Sequence, residues 1–265
     1  MLGFSRTMEV NKIYNEDCLV GMQRIPAKSI DAIICDLPYG VLNRSNKQAQ
    51  WDQVIPFAPL WEQYERIIKD NGVIILFGQG MFTAQLMMSK PEWWRYNLTW
   101  DKQRVSNFLN VKRQPLRQTE IISVFYKNQP TYHPQMRYAP HSRNHTRGKM
   151  QGEQTNRCYG NMNKATDFIS DEKYPTDLIS IPKKVNKALH PTEKPVPLLE
   201  YLIRTYTNKG DLILDNCMGS GTTAVAAINT SRNFIGFEIN KEYYDIACKR
   251  ADTAQRNFIP SIFQE

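Results

Sequence analysis

The fold of this chain is constrained most by residues 30–40, which read I-D-A-I-I-C-D-L-P-Y-G. The near-continuous apolar run Ile30–Cys35 is typical of a parallel strand that is buried on both faces. It stops at Asp36, which is followed by a proline turn and an aromatic ring. Parallel strands occur in layered α/β domains whose sites lie at the carboxyl ends of the strands. We therefore predict a buried strand that delivers functional residues to such a site.

The turn after this strand has the chemistry to hold a flat ring that carries an amino group. Asp36 and the carbonyl of Leu37 can accept two hydrogen bonds from an exocyclic amine, because Pro38 restricts how the turn bends. Tyr39 can stack on the face of the ring. An ordinary turn at the end of a strand is the alternative, since Asp, Pro and Gly are common in turns. We predict that Asp36, Leu37, Pro38 and Tyr39 are the catalytic residues.

The rest of the chain repeats this alternation of strands and helices. Apolar runs predict strands, and apolar residues at helical spacing between proline and glycine boundaries predict helices. The order of these elements predicts an α/β layered domain. The predicted strands are 12–15, 73–77, 94–101, 119–126, 211–215 and 234–238, and the predicted helices are 19–25, 60–69, 81–89, 197–206, 224–229 and 242–256.

A second site is predicted at residues 215–223, D-N-C-M-G-S-G-T-T, which connect a strand to an Ala-rich helix. Gly219 and Gly221 let a ligand approach the backbone closely. Thr222 and Thr223 begin the helix, where free N–H groups and the helix dipole favour a carboxylate or phosphate. Glu238 ends the next strand, where a carboxylate can accept both hydroxyls of a ribose. This succession of elements is the arrangement that holds a nucleoside.

The glycine turn by itself leaves a nicotinamide-dependent dehydrogenase open as an alternative. The dinucleotide fingerprint has a third glycine three residues after the second, and Ala224, which stands there, is a tolerated small residue. No residues suited to handling a hydride accompany the turn. A dehydrogenase also leaves Asp36 and the basic middle of the chain unexplained.

The positive charge of the chain is confined to its middle third. Of the net charge of +8, residues 100–190 contribute 16 Lys and Arg against 7 Asp and Glu, whereas the remainder contains 18 against 19. A segment with this excess predicts a polyanionic partner, and nucleic acid is the principal candidate. A solvated basic surface is the alternative.

Residues 128–189 interrupt the alternation of strands and helices and contain few aliphatic side chains. They are rich in Arg, Asn and Gln, which read the edges of guanine and adenine. We predict a target-recognition insertion between a catalytic half, 1–127, and a cofactor-binding half, 190–265. A surface insertion without a role in readout is the alternative. Within the preceding basic stretch, Phe108 either stacks on or wedges into nucleic acid, or packs beneath its own loop.

The sequence contains no apolar run long enough to cross a membrane and no apolar stretch of signal-peptide length near its start. Its five cysteines form no C-x-x-C pair, and its four histidines form no H-E-x-x-H motif. This pattern argues against a zinc or disulfide framework. We expect reduced thiols, no bound metal, no membrane association and a cytoplasmic protein.

Together, these motifs resemble those of the amino-methyltransferases of nucleic acids that use S-adenosylmethionine. D-L-P-Y-G at 36–40 is similar to the family's D-P-P-Y motif, and residues 215–223 are similar to its D-P-F-x-G-S-G-T-T loop. H-P-T-E-K-P at 190–195 resembles the segment before that loop, and E-D-C-L at 16–19 resembles the family's G-D-C/S-L stretch. The catalytic motif precedes the cofactor loop with the variable region between them, which is the order of the permuted β group.

The resemblance implies a doubly wound sheet of seven strands, six parallel and one antiparallel, with the cofactor at their carboxyl ends. Leu37 stands where the family has its first proline, and Asn216 and Cys217 stand where it has Pro-Phe. The cofactor pocket is therefore expected to lack an aromatic wall unless Phe77 or Phe237 fills that space. The residues implied to bind S-adenosylmethionine are Asp17, Asp36, Lys194, Pro195, Asp215, Asn216, Gly219, Ser220, Gly221, Thr222, Thr223 and Glu238.

The implied reaction moves a methyl group from S-adenosylmethionine to the 6-amino group of adenine in double-stranded DNA, which the basic segment 100–190 contacts. The family pairs Asp at the first motif position with adenine and Ser with cytosine, so Asp36 favours adenine. Methylation of the 4-amino group of cytosine, methylation of RNA or protein, and DNA binding without turnover are alternatives. The resemblance also implies a prokaryotic or phage-encoded enzyme, and members of the family are often homodimers. We expect residues 43–53 to close over a base that has flipped out of the duplex.

Overall fold

A computed structural model describes residues 8–40, 52–138, 155–156, 160–161, 172–183 and 193–258. Most of the predicted closing loop 43–53 lies outside these residues, as do the first three residues of the 190–195 motif. Most of the predicted insertion and the tail after residue 258 also lie outside them. The chain divides into two compact units, one formed by residues 1–133 and 177–265 and the other by residues 134–176.

The larger unit is built on an eight-stranded sheet in the order β1-β12-β11-β2-β3-β5-β4-β10. In chain order, the strands of both units are β1 (Lys12–Tyr14), β2 (Ile30–Cys35), β3 (Ile68–Gly78), β4 (Trp94–Ser106), β5 (Arg117–Phe125), β6 (Arg137–Tyr138), β7 (Thr155–Asn156), β8 (Gly160–Asn161), β9 (Glu172–Lys173), β10 (Leu178–Ser180), β11 (Leu212–Asp215) and β12 (Asn233–Phe237).

The sheet is parallel apart from β5, which runs antiparallel to both of its neighbours, β3 and β4. This arrangement confirms the predicted α/β fold with a mostly parallel sheet. The sheet has eight strands rather than the seven that the resemblance implies. The additional strand is β10, which pairs in parallel with the outer edge of β4.

Strand β10 comes from residues that the sequence places in the insertion. It is only three residues long, with Ile179 buried between two exposed neighbours. Ile179 pairs with Trp100, and the Trp100 indole N–H donates to the Ile181 carbonyl at 2.8 Å. So short a segment has no periodicity of its own, and it becomes a strand because the edge of β4 offers backbone partners.

Helices cover both faces of the sheet. Buried residues of α1 (Cys18–Met22), α2 (Phe57–Ile67) and α3 (Met81–Ser89) belong to one apolar cluster. Those of α4 (Val196–Tyr206), α5 (Thr222–Asn229) and α6 (Lys241–Asn257) belong to another. Among the described residues, no helix combines the length and the apolar character needed to cross a membrane.

Strand β2 lies at the centre of this arrangement. Its successive residues Ile33 and Ile34 are fully buried and belong to the two different clusters. Because successive side chains of a strand point to opposite faces, β2 is buried on both sides, as its near-continuous apolar run predicts.

The smaller unit, residues 134–176, lies within the predicted insertion 128–189. Its described strands form two antiparallel pairs, β6 with β9 and β7 with β8. The assignment of this region to target recognition stays a prediction.

Candidate active site

The two predicted sites lie side by side at one edge of the sheet. Strands β2 and β11 are parallel neighbours, with Ile213 opposite Ala32 and Leu214 opposite Ile33. The chain leaves β2 towards the helices of one face and leaves β11 towards those of the other. This is a topological switch point, where open α/β sheets bind their ligands.

The turns after β2 and β11 open into one cavity of about 610 Å³. Two predicted residues do not line it. Pro195 caps the start of α4, and Gly221 caps the start of α5. The predicted residues that line the cavity are Asp17, Asp36, Leu37, Pro38, Tyr39, Lys194, Asp215, Asn216, Gly219, Ser220, Thr222, Thr223 and Glu238. Phe77 and Phe237, expected as candidates for the missing aromatic wall, also line it.

Glu238 follows β12 and faces the glycine loop. One of its carboxylate oxygens accepts from the Gly219 N–H at 2.7 Å, and the other accepts from the Asn240 N–H at 2.8 Å. Burial raises the pKa of Glu238 above its usual value, although these two N–H groups oppose the shift. The carboxylate keeps further lone pairs for hydroxyl donors.

Asp215 stabilises the glycine loop through hydrogen bonds to residues of the loop. Its carboxylate accepts from the Thr223 hydroxyl at 2.5 Å and from the Cys217 N–H at 3.0 Å. Burial raises the pKa of Asp215 to about 6 against these hydrogen bonds. Both oxygens accept hydrogen bonds inside the loop, and Asp215 thereby fixes the turn that lines the cavity.

Asn216 accounts for one departure from the family motif. Its side-chain carbonyl accepts a hydrogen bond from the Tyr64 hydroxyl at 2.5 Å, in a fully buried environment. Its amide N–H group lies 3.6 Å from the sulfurs of Cys18 and Cys217. The residue thus ties the loop to α2, and it does so with a polar group that the buried tyrosine needs as a partner.

Asp17 has a local role beside its place in the cavity. It is the N-cap of α1, where one carboxylate oxygen accepts from the Leu19 N–H at 2.7 Å and the Val20 N–H at 3.3 Å. An aspartate satisfies the free N–H groups of a first turn well. The same side chain faces the region assigned to the cofactor, so the capping role and the predicted binding role are compatible.

Arg250 of α6 braces the glycine loop, although the sequence gives no sign of this. Its guanidinium donates to the Ser220 carbonyl and hydroxyl, both at 2.8 Å, and pairs with Glu193 at 3.1 Å. An arginine in the third turn of an amphipathic helix is usually a surface residue. Only the packing of α6 against α5 brings it to the loop.

Gly221 allows this close packing of α5 on α6. Its φ of +86° is in the left-handed region, and an added Cβ would lie 2.8 Å from the Ala247 Cα. We expect Gly221→Ala to lower the free energy of unfolding by about 2 kcal/mol or more, because left-handed strain adds to this contact. Denaturant unfolding followed by circular dichroism measures the loss.

The matched control for Gly221→Ala is Gly210→Ala. Gly210 has nearly the same φ, +87°, but an added Cβ there meets no atom within 4 Å. This variant should lose only the conformational contribution, about 1 kcal/mol. Equal losses in the two variants would show that the approach to Ala247 does not matter.

Asp36, which the sequence predicts to be catalytic, is paired on both of its carboxylate oxygens. The Tyr39 hydroxyl donates to one oxygen of Asp36 at 2.7 Å, and the Lys194 ammonium donates to the other at 2.6 Å. Burial raises the pKa of Asp36 above its usual value, while Lys194 and Tyr39 oppose that shift. The Tyr39 ring packs against Phe82 with 4.8 Å between ring centroids. Leu37 turns its side chain into the core, which explains why an apolar residue stands there.

Lys194 lies between two carboxylates. Its ammonium is 2.6 Å from Asp36 and 3.2 Å from Glu120, and Lys102 approaches Glu120 at 3.3 Å. Burial alone would lower the pKa of Lys194, but Asp36 and Glu120 outweigh it and raise that pKa. Burial would raise the pKa of Glu120, but Lys194 and Lys102 outweigh it and hold that pKa below its usual value. The group is thus a buried network of two carboxylates and two ammonium groups.

This network includes Lys194, which the resemblance places among the cofactor-binding residues. Its ammonium contacts Asp36, another residue of that implied set, and the cofactor role of Lys194 stays a prediction. Glu120, which lines the same cavity, was not predicted as a site residue. Its only signal in the sequence is an acidic side chain immediately before the mostly apolar run 121–125 of β5.

Comparison with known proteins finds relatives over most of the chain. Residues 30–249 match the model of the N6/N4 methyltransferase family, described as DNA methylase. The chain is 30% identical over 260 residues to the type II methyltransferase M1.MboII of Moraxella bovis, covering 91% of this chain and 96% of that protein. It is 28% identical to the type II methyltransferase M.HinfI of Haemophilus influenzae, covering 91% and 68%. The solved complex of M1.HpyAVI with S-adenosylmethionine matches with a TM-score of 0.58 and 26% identity over 90% of this chain and 98% of that one.

Proposed function

We propose that this chain, which belongs to the DNA methylase family and takes its methyl group from S-adenosylmethionine, methylates the 6-amino group of adenine in duplex DNA. One observation carries the proposal. The Asp36 turn and the glycine loop leave neighbouring parallel strands and line the same cavity. This arrangement supports the proposal, because it would bring an amine acceptor and a nucleoside site within reach of each other.

The residues on the loop side of the cavity fit S-adenosylmethionine. Glu238 would present a partly buried carboxylate to ribose hydroxyls, and the backbone at Gly219 lines the cavity. The carboxylates of Glu16 and Asp17 also line this cavity and favour a positively charged ligand. When bound, S-adenosylmethionine supplies an electrophilic methyl group on a positively charged sulfur.

The residues of the Asp36 turn would have to activate the exocyclic amine of the base, which is a poor nucleophile. The lone pair of an exocyclic amine is delocalised into the base, and hydrogen bonds from the amine to Asp36 and to the Leu37 carbonyl would draw it out of the ring plane. Asp36 would also stabilise the positive charge that develops on the nitrogen. No protein nucleophile is needed, and burial raises the pKa of the nearby Cys35 thiol to about 12, which keeps it neutral. The remaining contribution is the positioning of the base.

The choice of adenine rests on Asp36 at the first position of the motif. The matched family covers both 6-amino and 4-amino methylation, and the resemblance pairs Asp at this position with adenine. Contact with DNA is assigned to the basic segment 100–190, and recognition of a DNA sequence is assigned to the insertion 128–189. The cytoplasmic location in a prokaryotic or phage-infected cell stays a prediction. The homodimer also stays a prediction, and light scattering of the purified protein tests it.

Methyl transfer to defined nucleic acids tests the proposal. The protein is incubated with S-adenosylmethionine labelled in its methyl group and with unmethylated duplex DNA, duplex RNA or a protein mixture. We expect label in DNA only, and digestion to nucleosides should place it in N6-methyladenine. Label in N4-methylcytosine would overturn the choice of base, and label in RNA or protein alone would overturn the substrate class. Single-molecule sequencing of DNA from an expressing host then gives the sequence context.

A variant of Glu238 tests the assignment of the cofactor side. Glu238→Gln keeps an oxygen that can accept from the Gly219 N–H but removes the charge and replaces the second acceptor with a donor. We expect the dissociation constant for S-adenosylmethionine, measured by calorimetry, to rise by about tenfold or more, since hydrogen bonds to charged groups are the strong ones. Glu242→Gln, on the exposed first turn of α6, is the control and should bind normally. Unchanged affinity in Glu238→Gln would remove Glu238 from the cofactor site.

A further inference from the structure

The hairpin formed by β4 and β5 extends beyond the sheet at the edge that carries the active site. Strand β4 runs parallel to β2 and β3, so its carboxyl end points the same way as Asp36. Strand β3 stops at Gly78, opposite Ile121, but the pairing of β5 with β4 continues to Arg117. These four further residues of β5 span roughly 13 Å at the usual rise of a strand.

The end of this hairpin is an apolar tip made of Phe108, Leu109 and Val111. Their exposed fractions are 61%, 100% and 58%. Phe108 therefore does not pack beneath its own loop, which was one of the two expectations from the sequence. Three neighbouring large apolar side chains are seldom exposed together on a protein surface unless they form part of a binding site.

The tip is held in a defined conformation. Residues Phe108–Asn110 form a 3₁₀ turn that follows Asn107 in the left-handed region. The Asn110 N–H donates to the Asn107 carbonyl at 3.1 Å, and the two side chains are joined at 2.7 Å. An ordered turn presents its apolar side chains without the entropy cost of ordering a loose loop on binding.

Positive charge surrounds the tip. Residues 102–119 contain five Lys and Arg and no Asp or Glu. Lys102 turns inward to Glu120, whereas Arg104, Lys112, Arg113 and Arg117 are exposed. Arg117 also lines the cavity and donates to Gln79 at 3.3 Å, which connects the base of the hairpin to the active site. Apolar groups flanked by cations complement stacked bases between two phosphate backbones.

We propose that the tip enters the DNA duplex beside the target base pair and fills the space that the flipped base leaves. A base reaches Asp36 only after it has left the stack, and an inserted apolar group lowers the cost of that step. Arg104, Lys112, Arg113 and Arg117 contact the flanking phosphates. The inference rests on the proposed function, because it needs duplex DNA as the substrate.

The test compares two DNA substrates and the double variant Phe108→Ser with Leu109→Ser. Both residues are exposed, so the variant should fold normally. One substrate is a perfect duplex, and in the other the target base lies opposite an abasic site, so that no base pair has to be broken before it leaves the stack. We expect kcat/KM on the perfect duplex to fall by about tenfold or more and on the second substrate by less than about threefold, because flipping costs less where the target base is unpaired. Met88→Ser, which alters a 73%-exposed apolar residue on α3, is the control and should leave both values unchanged.

A fluorescent adenine analogue at the target position gives an independent reading. Its emission should rise when the unaltered protein binds and rise much less with the double variant, whereas affinity for S-adenosylmethionine should be the same. Equal losses on the two substrates, or no loss on either, overturn the inference while leaving the proposed function intact. So does a change from dimer to monomer in the double variant, which would assign the tip to a second copy of the chain. Absence of DNA methylation by the unaltered protein overturns both.

Discussion

Asp36→Asn should lower the rate of methyl transfer by about a thousandfold or more. The substitution removes the negative charge of the carboxylate, which would stabilise the positive charge that develops on the amine of the base. The substitution preserves size and leaves one oxygen for the Tyr39 hydroxyl, so the turn should keep its shape. Lys194 retains Glu120 as a partner at 3.2 Å. Binding of S-adenosylmethionine should change by less than about threefold, because the groups on the glycine loop are untouched. Single-turnover kinetics with labelled cofactor and calorimetric binding measure the two quantities.

The matched control lies at the other end of the same strand. Asp31 accepts from the Lys69 ammonium at 2.6 Å and from the Leu212 N–H at 2.9 Å, and it does not line the cavity. Asp31→Asn removes a partly buried carboxylate from β2, so it reports what that loss does to the strand alone. It should lower the stability and leave the methyl-transfer rate of the folded protein within about threefold. Turnover by Asp36→Asn within the same range would remove Asp36 from the mechanism.

The placement of Asp36 and the glycine loop could be predicted because both depend on local patterns. Ile30–Cys35 is apolar at nearly every position, and only a strand buried on both faces needs such a run. The residue that follows such a strand stands at the sheet edge wherever the strand lies in the sheet. The loop after Leu212–Asp215 is determined in the same way by its glycines and by the helix that follows.

The surroundings of Asp36 could not be predicted, because they come from distant parts of the chain. Lys194 is 158 residues from Asp36, and Arg250 is 30 residues from Ser220. No local period records that two such side chains meet. Glu120 likewise becomes a site residue only because β5 lies two strands away from β2. Strand β10 depends on the free edge of β4, because the short apolar run at 177–182 is not enough by itself to distinguish a strand from a loop.

Hydrogen bonds to residues nearby in the chain are also hard to predict from the sequence, as Asp215 shows. The resemblance implies that Asp215 binds the cofactor, and this stays a prediction. In the structure, the Thr223 hydroxyl and the Cys217 N–H donate to its two oxygens. Hydrogen bonds between such near neighbours in the chain cost little entropy to form, and no sequence pattern records them.

Lys194→Met should have the second large effect on methyl-transfer activity. The pH dependence of kcat/KM distinguishes this effect from a purely structural one. Burial raises the pKa of Asp36, and Lys194 is the strongest influence that opposes the rise. Without the ammonium group, that pKa rises further, so a larger fraction of Asp36 is protonated at neutral pH. The acidic limb of the kcat/KM profile should therefore move to higher pH, and activity that is lost at neutral pH should return in part as the pH is raised.

The variant should also be less stable, since removing one partner of a buried ion pair costs about 3 kcal/mol or more. Lys102→Met is the control, because Lys102 pairs with Glu120 but does not contact Asp36. It should lower the stability in a similar way while leaving the acidic limb close to its original position. Lys194→Arg keeps the charge and should restore most of the profile. If Lys194→Met were less active at every pH with an unshifted acidic limb, the lysine would serve the fold or the cofactor, and its contact with Asp36 would have no part in setting the charge of that carboxylate.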